Sequence, residues 1–183
     1  MATVIQLIHI HYRGKYLSLL DSDDTTPIYT VKVCREAPQM EVIRLNRDNN
    51  HSDNGDTALL STASFKTLSM EVTLSIHDHM VMLRRPNIFS RTYGFESVAL
   101  PGNTLLWEAD GSLSGDFKLV NRSNHQVLSR FRNKVFSTTE VGSFEMVGDL
   151  SAELKDEIVV SGLAVLVMVQ SLSLAGMVLV GSP

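Results

Sequence analysis

Residues 158–169 read IVVSGLAVLVMV, and together with residues 170–180 they form a stretch that contains no charged side chain. A helix at a protein surface keeps one polar face, whereas this stretch is apolar on all sides. Glu153, Asp156 and Glu157 precede it, and carboxylates are favoured in the first turns of a helix by the unpaired N–H groups and the helix dipole. The stretch therefore predicts a C-terminal helix, over about residues 150–169, that is buried on every side.

Either protein or lipid can surround such a helix. At 1.5 Å per residue, residues 158–180 reach roughly 35 Å, enough to cross the bilayer core of about 30 Å as a tail anchor. However, no Lys or Arg follows the stretch, no Trp or Tyr lies at either end, and Gly162, Gln170 and Gly176 dilute it. The shorter segment 154–169 is typical of a helix inside protein, and the tail anchor is the alternative.

The residues before the helix are organised as short segments with period-two alternation, separated by turn residues. In residues 70–76, for example, Met70, Val72, Leu74 and Ile76 share one face, as in a half-buried antiparallel strand. The other predicted strands cover residues 27–33, 39–45, 80–85, 93–100, 104–108, 116–122, 126–132, 135–139 and 143–147, with turns at 77–79, 101–103, 110–112, 122–124 and 141–142. This spacing predicts a mainly β sandwich or barrel.

Composition limits the classes of function that the chain can have. A length of 183 residues suits one domain, and 16 basic residues against 20 acidic ones give a net charge of -4. Because nucleic-acid binding draws on an excess of Lys and Arg, no nucleic-acid partner is expected. The single cysteine, Cys34, has no partner for an internal disulfide and is predicted to be a buried or half-buried inert thiol. The first 14 residues lack a basic start and a cleavage site, so a cytoplasmic protein is expected.

Several short pieces of the sequence occur in a recognisable order. They are LRR at 83–85, YGF at 93–95, LLW at 105–107, GDFKLV at 115–120, Phe131 with VFS at 135–137, GSFE at 142–145 and DEIVVSGLA at 156–164. With this order and spacing, residues 76–166 resemble the tubby C-terminal-like superfamily, in particular its branch of small fungal and plant proteins related to LURP-one. The chain is also similar to phospholipid scramblases. One departure is that the chain stays apolar after residue 166, where the family usually becomes charged.

The resemblance implies a closed antiparallel β-barrel of about twelve strands with a hydrophobic C-terminal helix through its centre. Residues 1–183 would then form one domain, with strands within about residues 4–148, the helix at about 150–169 and an apolar tail at 170–183. A barrel of that strand number is too wide to be filled by its own side chains. A helix that is apolar on every side would fill it.

The resemblance also implies a function, because tubby proteins bind phosphoinositides through basic side chains on the barrel wall. Basic residues of this chain cluster in two places: Arg84, Arg85 and Arg91, and Lys118, Arg122, Arg130, Arg132 and Lys134. The hypothesis is a non-enzymatic binding module for phosphoinositides or other anionic lipids, peripheral to a membrane, whose binding weakens when Arg130 and Arg132 become alanine. The alternatives are a solvated outer barrel face, the tail-anchored protein, and a scramblase-like lipid-handling protein.

Motifs for catalysis, cofactors and metals are not found in the sequence. The segment 111–115 resembles a nucleophile elbow but has Leu113 at its centre, and no phosphate-binding or dinucleotide-binding motif occurs. The polar loop around residues 50–61 has Ser61 where a calcium-binding loop needs glutamate. The two HxH pairs, at residues 9–11 and 77–79, lack an indicated third ligand. We therefore expect no catalytic residue, no cofactor and no metal site.

Overall fold

The structure, a computed structural model, describes residues 3–34, 36–45, 57–65, 71–87, 89–111 and 115–169. These residues form twelve β-strands followed by one α-helix. The strands are β1 (Val4–Arg13), β2 (Tyr16–Leu20), β3 (Pro27–Val33), β4 (Met40–Leu45), β5 (Thr57–Phe65), β6 (Glu71–Ile76), β7 (His79–Arg84), β8 (Thr92–Glu96), β9 (Thr104–Ala109), β10 (Phe117–Asn121), β11 (Val127–Asn133) and β12 (Glu140–Val147), and the helix is α1 (Ala152–Val169).

The twelve strands form a closed antiparallel barrel in which every strand pairs with its neighbours in the sequence. The pairing of β1 with β12 closes the barrel, and there Ile8 lies opposite Phe144. Side chains alternate between a buried inner face and an outer face, as period-two strands require. The predicted barrel of about twelve strands is therefore confirmed.

Helix α1 lies inside this barrel. Every residue from 158 to 166 is buried, and these residues cover more than two turns, so the helix meets protein in all directions. Gly162 allows a close approach to the wall: a Cβ atom at this position would lie 2.6 Å from Cε1 of Phe144 and 3.0 Å from Cζ2 of Trp107. The indole Nε1 of Trp107 donates a hydrogen bond to Ser161 Oγ at 3.0 Å. The apolar stretch is thus the core that the wide barrel needs.

Two buried carboxylates fix the first turns of the helix. Asp156 accepts hydrogen bonds from the Tyr29 hydroxyl at 2.6 Å and from Arg44 Nη1 at 2.7 Å. Glu157 accepts hydrogen bonds from Ser97 Oγ and from the backbone N–H of Val98. Burial, together with the Asp156 carboxylate, raises the pKa of the Tyr29 hydroxyl, which therefore stays a donor. Both carboxylates are satisfied by the barrel wall, as buried charges must be.

Both ends of the barrel expose apolar side chains, but among the described residues the largely exposed phenylalanines lie at one end. Because neighbouring strands are antiparallel, the β7–β8 and β11–β12 connections lie at one end, and α1, which starts at the other end, finishes there. This end exposes Phe89 in the first connection, Val135 and Phe136 in the second, and Val169 on the helix. We call it the apolar end.

The alternative interpretation, a membrane span over residues 158–180, covers two parts of the chain. Residues 158–166 are enclosed by the barrel, whereas residues 170–180 lie outside the described part of the chain. Among the described residues, no helix has the length and apolar character needed to cross a bilayer. The predicted apolar tail, residues 170–183, likewise lies outside the residues that the structure describes.

Three local predictions were wrong. Residues 135–139, predicted as a strand, form the β11–β12 connection, and residues 141–142, predicted as a turn, lie inside β12. Gly142 is needed there for close packing rather than for a turn, since a Cβ atom would lie 2.3 Å from the carbonyl oxygen of Arg132. Cys34, predicted to be buried or half-buried, is exposed because it follows the last residue of β3.

Candidate functional site

The barrel distributes the eight predicted basic residues over its outer face and one end. Lys118, Arg130 and Arg132 lie on β10 and β11, and Lys134 follows β11. The remaining residues are at strand ends or in connections: Arg84 ends β7, Arg85 and Arg91 lie between β7 and β8, and Arg122 follows β10. The eight predicted residues therefore do not form one patch, and the groups that they do form differ from the two clusters in the sequence.

Three of the basic residues belong to a dense network of ion pairs, which we call the charged wall. Lys118 Nζ lies 3.7 Å from Glu108 Oε2, and Arg130 Nε lies 3.7 Å from Asp110 Oδ2. Its members are Lys118, Arg130 and Arg132 with Glu108, Asp110, Asp116 and Glu145. The carboxylates outnumber the cations, so the charged wall has no excess positive charge to offer an anionic ligand.

Arg132 lies at the centre of the charged wall. Its guanidinium group lies 3.1 Å from Asp110, 3.6 Å from Asp116 and 3.4 Å from Glu145. Burial by itself lowers the pKa of Arg132, but these carboxylates outweigh that effect and raise the pKa above its ordinary value. The Arg132 charge is therefore already neutralised by protein carboxylates.

A groove on the outer wall contains two other predicted residues. It lies where β7 and β8 diverge, since these strands share a single register pair, Arg84 opposite Gly94. Its volume is about 510 Å³, and Met80, Met82 and Leu106 contribute apolar surface to its lining. That volume is in the range of about 300–1,000 Å³ that is typical of small-molecule sites. We call this site the groove.

The groove brings together arginines from both sequence clusters. Arg84 and Arg122 line it, together with one carboxylate, Glu96. Arg84 Nε lies 3.1 Å from Glu71 in a largely exposed pair, whereas Arg122 is exposed and forms no ion pair with any residue that the structure describes. Glu96 Oε1 accepts a hydrogen bond from Thr104 Oγ1 at 2.8 Å. Cations thus outnumber carboxylates among the groove residues.

The connection between β7 and β8 borders the groove at the apolar end of the barrel. Pro86 of this connection lines the groove, and Arg85 lies with its guanidinium carbon 5.8 Å from the centre of the Tyr93 ring. Phe89 in the same connection is 87% exposed, and Arg91 follows it. The connection that supplies Pro86 to the groove therefore also carries an exposed aromatic side chain and basic side chains.

A third set of functional side chains involves one of the HxH pairs. On β1, His9 Nδ1 lies 3.2 Å from Glu140 Oε1, and His11 Nε2 lies 2.7 Å from Asp24 Oδ1. Although burial raises the pKa of the Glu140 carboxyl, hydrogen bonds from Lys134 and His9 outweigh it and lower the pKa below its ordinary value. We call His9, His11, Asp24 and Glu140 the histidine cluster.

Comparison with known proteins found no match: no family model, no curated protein and no solved structure is similar to this chain. The groove, the charged wall and the histidine cluster are therefore interpreted from their own chemistry.

Proposed function

We propose that this protein is a non-enzymatic binding module of the tubby-like type that binds anionic phospholipid at a membrane surface. The groove is the proposed lipid site. The observation that carries the proposal is that Arg122, exposed and without a carboxylate partner among the described residues, shares a methionine-lined groove with Arg84. The resemblance of residues 76–166 to the tubby superfamily supports the same function.

The chemistry of the groove suits an amphiphile with a negative head. Arginine pairs readily with phosphate because its guanidinium group offers a planar fork of donors. Met80 is 68% exposed, so it is available to a ligand, and methionine adapts its shape to irregular apolar groups. In our proposal, Arg84 and Arg122 contact the phosphate groups, while Met80, Met82 and Leu106 contact the glycerol and acyl parts.

The apolar end supplies a second contact with the membrane. Phe89 and Phe136 are both almost fully exposed, and both belong to connections at this end. Exposed aromatic side chains partition into the boundary between head groups and acyl chains. Because Pro86 links the Phe89 connection to the groove, insertion of this end would place a membrane lipid beside Arg84, whereas Arg122 follows β10 and lies toward the opposite end of the groove.

Vesicle sedimentation tests the proposal. Wild-type protein is mixed with phosphatidylcholine vesicles that contain or lack a phosphoinositide. The Arg84→Ala plus Arg122→Ala variant is tested in parallel with the same vesicles. Each cation near an anionic surface contributes about 1 kcal/mol, so the double variant should lose about 2 kcal/mol, or roughly 30-fold in affinity. Wild-type binding should also fall as salt is added, because the contacts are exposed.

Arg130→Ala plus Arg132→Ala is the matched control, with the same charge change on the charged wall. From the sequence we predicted that this double substitution weakens binding, whereas the ion pairs of Arg130 and Arg132 now lead us to expect a change of less than about 3-fold. Competition by a soluble inositol phosphate distinguishes head-group recognition from attraction to any anionic surface. Absence of wild-type binding to the anionic vesicles, or equal losses in the two double variants, would contradict the groove as the lipid site.

A further inference from the structure

The histidine cluster lies at the seam where the first strand of the barrel meets the last. On β1, Ile8 and Ile10 point into the barrel, so His9 and His11 both point outward, and their ring centres are 6.3 Å apart. Their side chains are only 14% and 16% exposed, because neighbouring groups cover them. Two imidazoles are thus held side by side on the outer wall.

A β-bulge in β12 brings a carboxylate to these imidazoles. His9 lies opposite Ser143 and Ile10 opposite Gly142, but His11 lies opposite Glu140, so Val141 is an extra residue in β12. Regular alternation from the inward side chains of Phe144 and Met146 would put residue 140 on the inner face. The bulge reverses this and turns Glu140 toward the histidines, as bulges near functional sites often do.

Three of the four cluster residues lie close enough together to share a metal ion, and Asp24 adjoins the two histidines. The ligand atoms of His9, His11 and Glu140 all lie within 4.8 Å of one another. Asp24 Oδ1 is 2.7 Å from His11 Nε2 and 3.7 Å from His9 Nδ1, and Glu140 Oε1 is 3.2 Å from His9 Nδ1. Ligands of a tetrahedral zinc ion, bound at about 2.0–2.1 Å, lie about 3.3 Å apart. The three separations bracket that value.

We propose that the histidine cluster binds a divalent transition-metal ion of the zinc class. The ligands are His9 Nδ1, His11 Nε2, Glu140 Oε1 and Asp24 Oδ1. Two imidazoles favour zinc over magnesium or calcium, which prefer oxygen ligands. The site does not depend on the proposed lipid function, because the groove lies on other strands.

One neighbour supports this arrangement from outside the ligand set. Lys134 Nζ lies 2.5 Å from Glu140 Oε2, so it holds the second carboxylate oxygen and leaves Oε1 directed at His9. Contacts of this kind orient metal ligands and change metal affinity by about 10–100-fold. Lys134 is therefore a positioning residue for Glu140.

The position of the site indicates what a bound ion does. His9 and His11 are on β1, Glu140 begins β12, and Asp24 lies in the β2–β3 connection, so one ion joins three parts of the wall across the closing seam. A ligand that binds only the folded state stabilises that state. Zinc should therefore raise the melting temperature of the protein, whereas magnesium should not.

Metal titration of protein prepared without a histidine tag tests the site. We expect one equivalent of zinc, measured by competition with a chromophoric chelator, and a four-coordinate visible spectrum with cobalt in its place. His11→Gln and Glu140→Gln should each lower zinc affinity by about 100-fold or more, since each removes a ligand. His79→Gln is the matched control because His79 is an exposed histidine on β7, outside the cluster.

Asp24→Asn distinguishes the loss of a zinc ligand from a loss of folding. Asp24 is half exposed in a connection, so this variant should fold normally by circular dichroism and still bind zinc about 10-fold more weakly. The proposal is overturned if the wild-type protein takes up no stoichiometric zinc. It is equally overturned if folded Asp24→Asn, His11→Gln and His79→Gln all bind zinc as the wild-type protein does.

Discussion

The groove and the charged wall are neighbouring parts of one barrel surface, and both contain arginines that the sequence marks as candidates for lipid binding. On the charged wall, Arg130 and Arg132 pair with three carboxylates, those of Asp110, Asp116 and Glu145. In the groove, Arg122 lies beside methionine side chains and has no such partner among the described residues. In our proposal, what distinguishes an anion-binding site is a cation without a carboxylate partner next to apolar surface, and not the number of cations.

The largest expected gain in vesicle binding comes from removing the carboxylates that pair with the arginines of the charged wall. Asp110→Asn plus Glu145→Gln removes carboxylates that pair with Arg130 and Arg132. If pairing is what keeps this wall from binding, the variant should bind anionic vesicles roughly 10-fold more tightly than wild type. Sedimentation at matched salt measures the gain. An unchanged affinity would mean that ion pairing does not explain the difference between the groove and the charged wall.

A smaller loss is expected when the apolar part of the groove is removed. Met80→Ser shortens an exposed side chain, so the free energy of unfolding should stay unchanged while vesicle affinity falls by roughly 5-fold, or about 1 kcal/mol. Met→Ser at a single position leaves both arginines in place, which separates apolar contact from charge. Equal binding by the variant and the wild type would mean that the groove binds vesicles through charge alone.

The smallest effect concerns stability. Arg132→Gln should lower the free energy of unfolding by about 0.5 kcal/mol, because its ion pairs are partly exposed and such pairs contribute little. Arg122→Gln should leave stability unchanged, since Arg122 is exposed and forms no ion pair with a described residue. Urea unfolding of the two variants measures the difference. If Arg122→Gln lowered the free energy of unfolding more than Arg132→Gln does, Arg122 and not Arg132 would be the arginine that stabilises the fold.

Much of the fold follows from side-chain periodicity. The alternation of Val72, Leu74 and Ile76 places β6, and the uncharged residues 158–169 identify a helix that protein must surround. The bulge at Val141 was not predictable, because Gly142 is typical of a turn and the register shift arises where β12 pairs with β1, which is distant in the sequence. The same bulge accounts for the missed strand boundaries around β12.

The functional groups were harder to predict, because they depend on which strands become neighbours. Arg84 and Arg122 are far apart in the sequence and line the same groove only because of the order of β7 to β10. Likewise, no spacing rule links His9 and His11 to Glu140, which is 131 residues from His9 and was not considered as a ligand. The HxH pattern was the one available signal, and it pointed to a shared face without indicating what lies opposite.

The helix that fills the barrel is also the part of the described chain that a ribosome makes last. Until residues 158–166 have emerged, the twelve strands have no core to close around, and the inward faces of Trp107, Phe131 and Phe144 have no helix to cover them. Exposed apolar faces and unpaired strand edges promote aggregation of nascent chains. The order of synthesis therefore makes closure of the barrel around its core depend on residues 158–166, which are translated after all twelve strands.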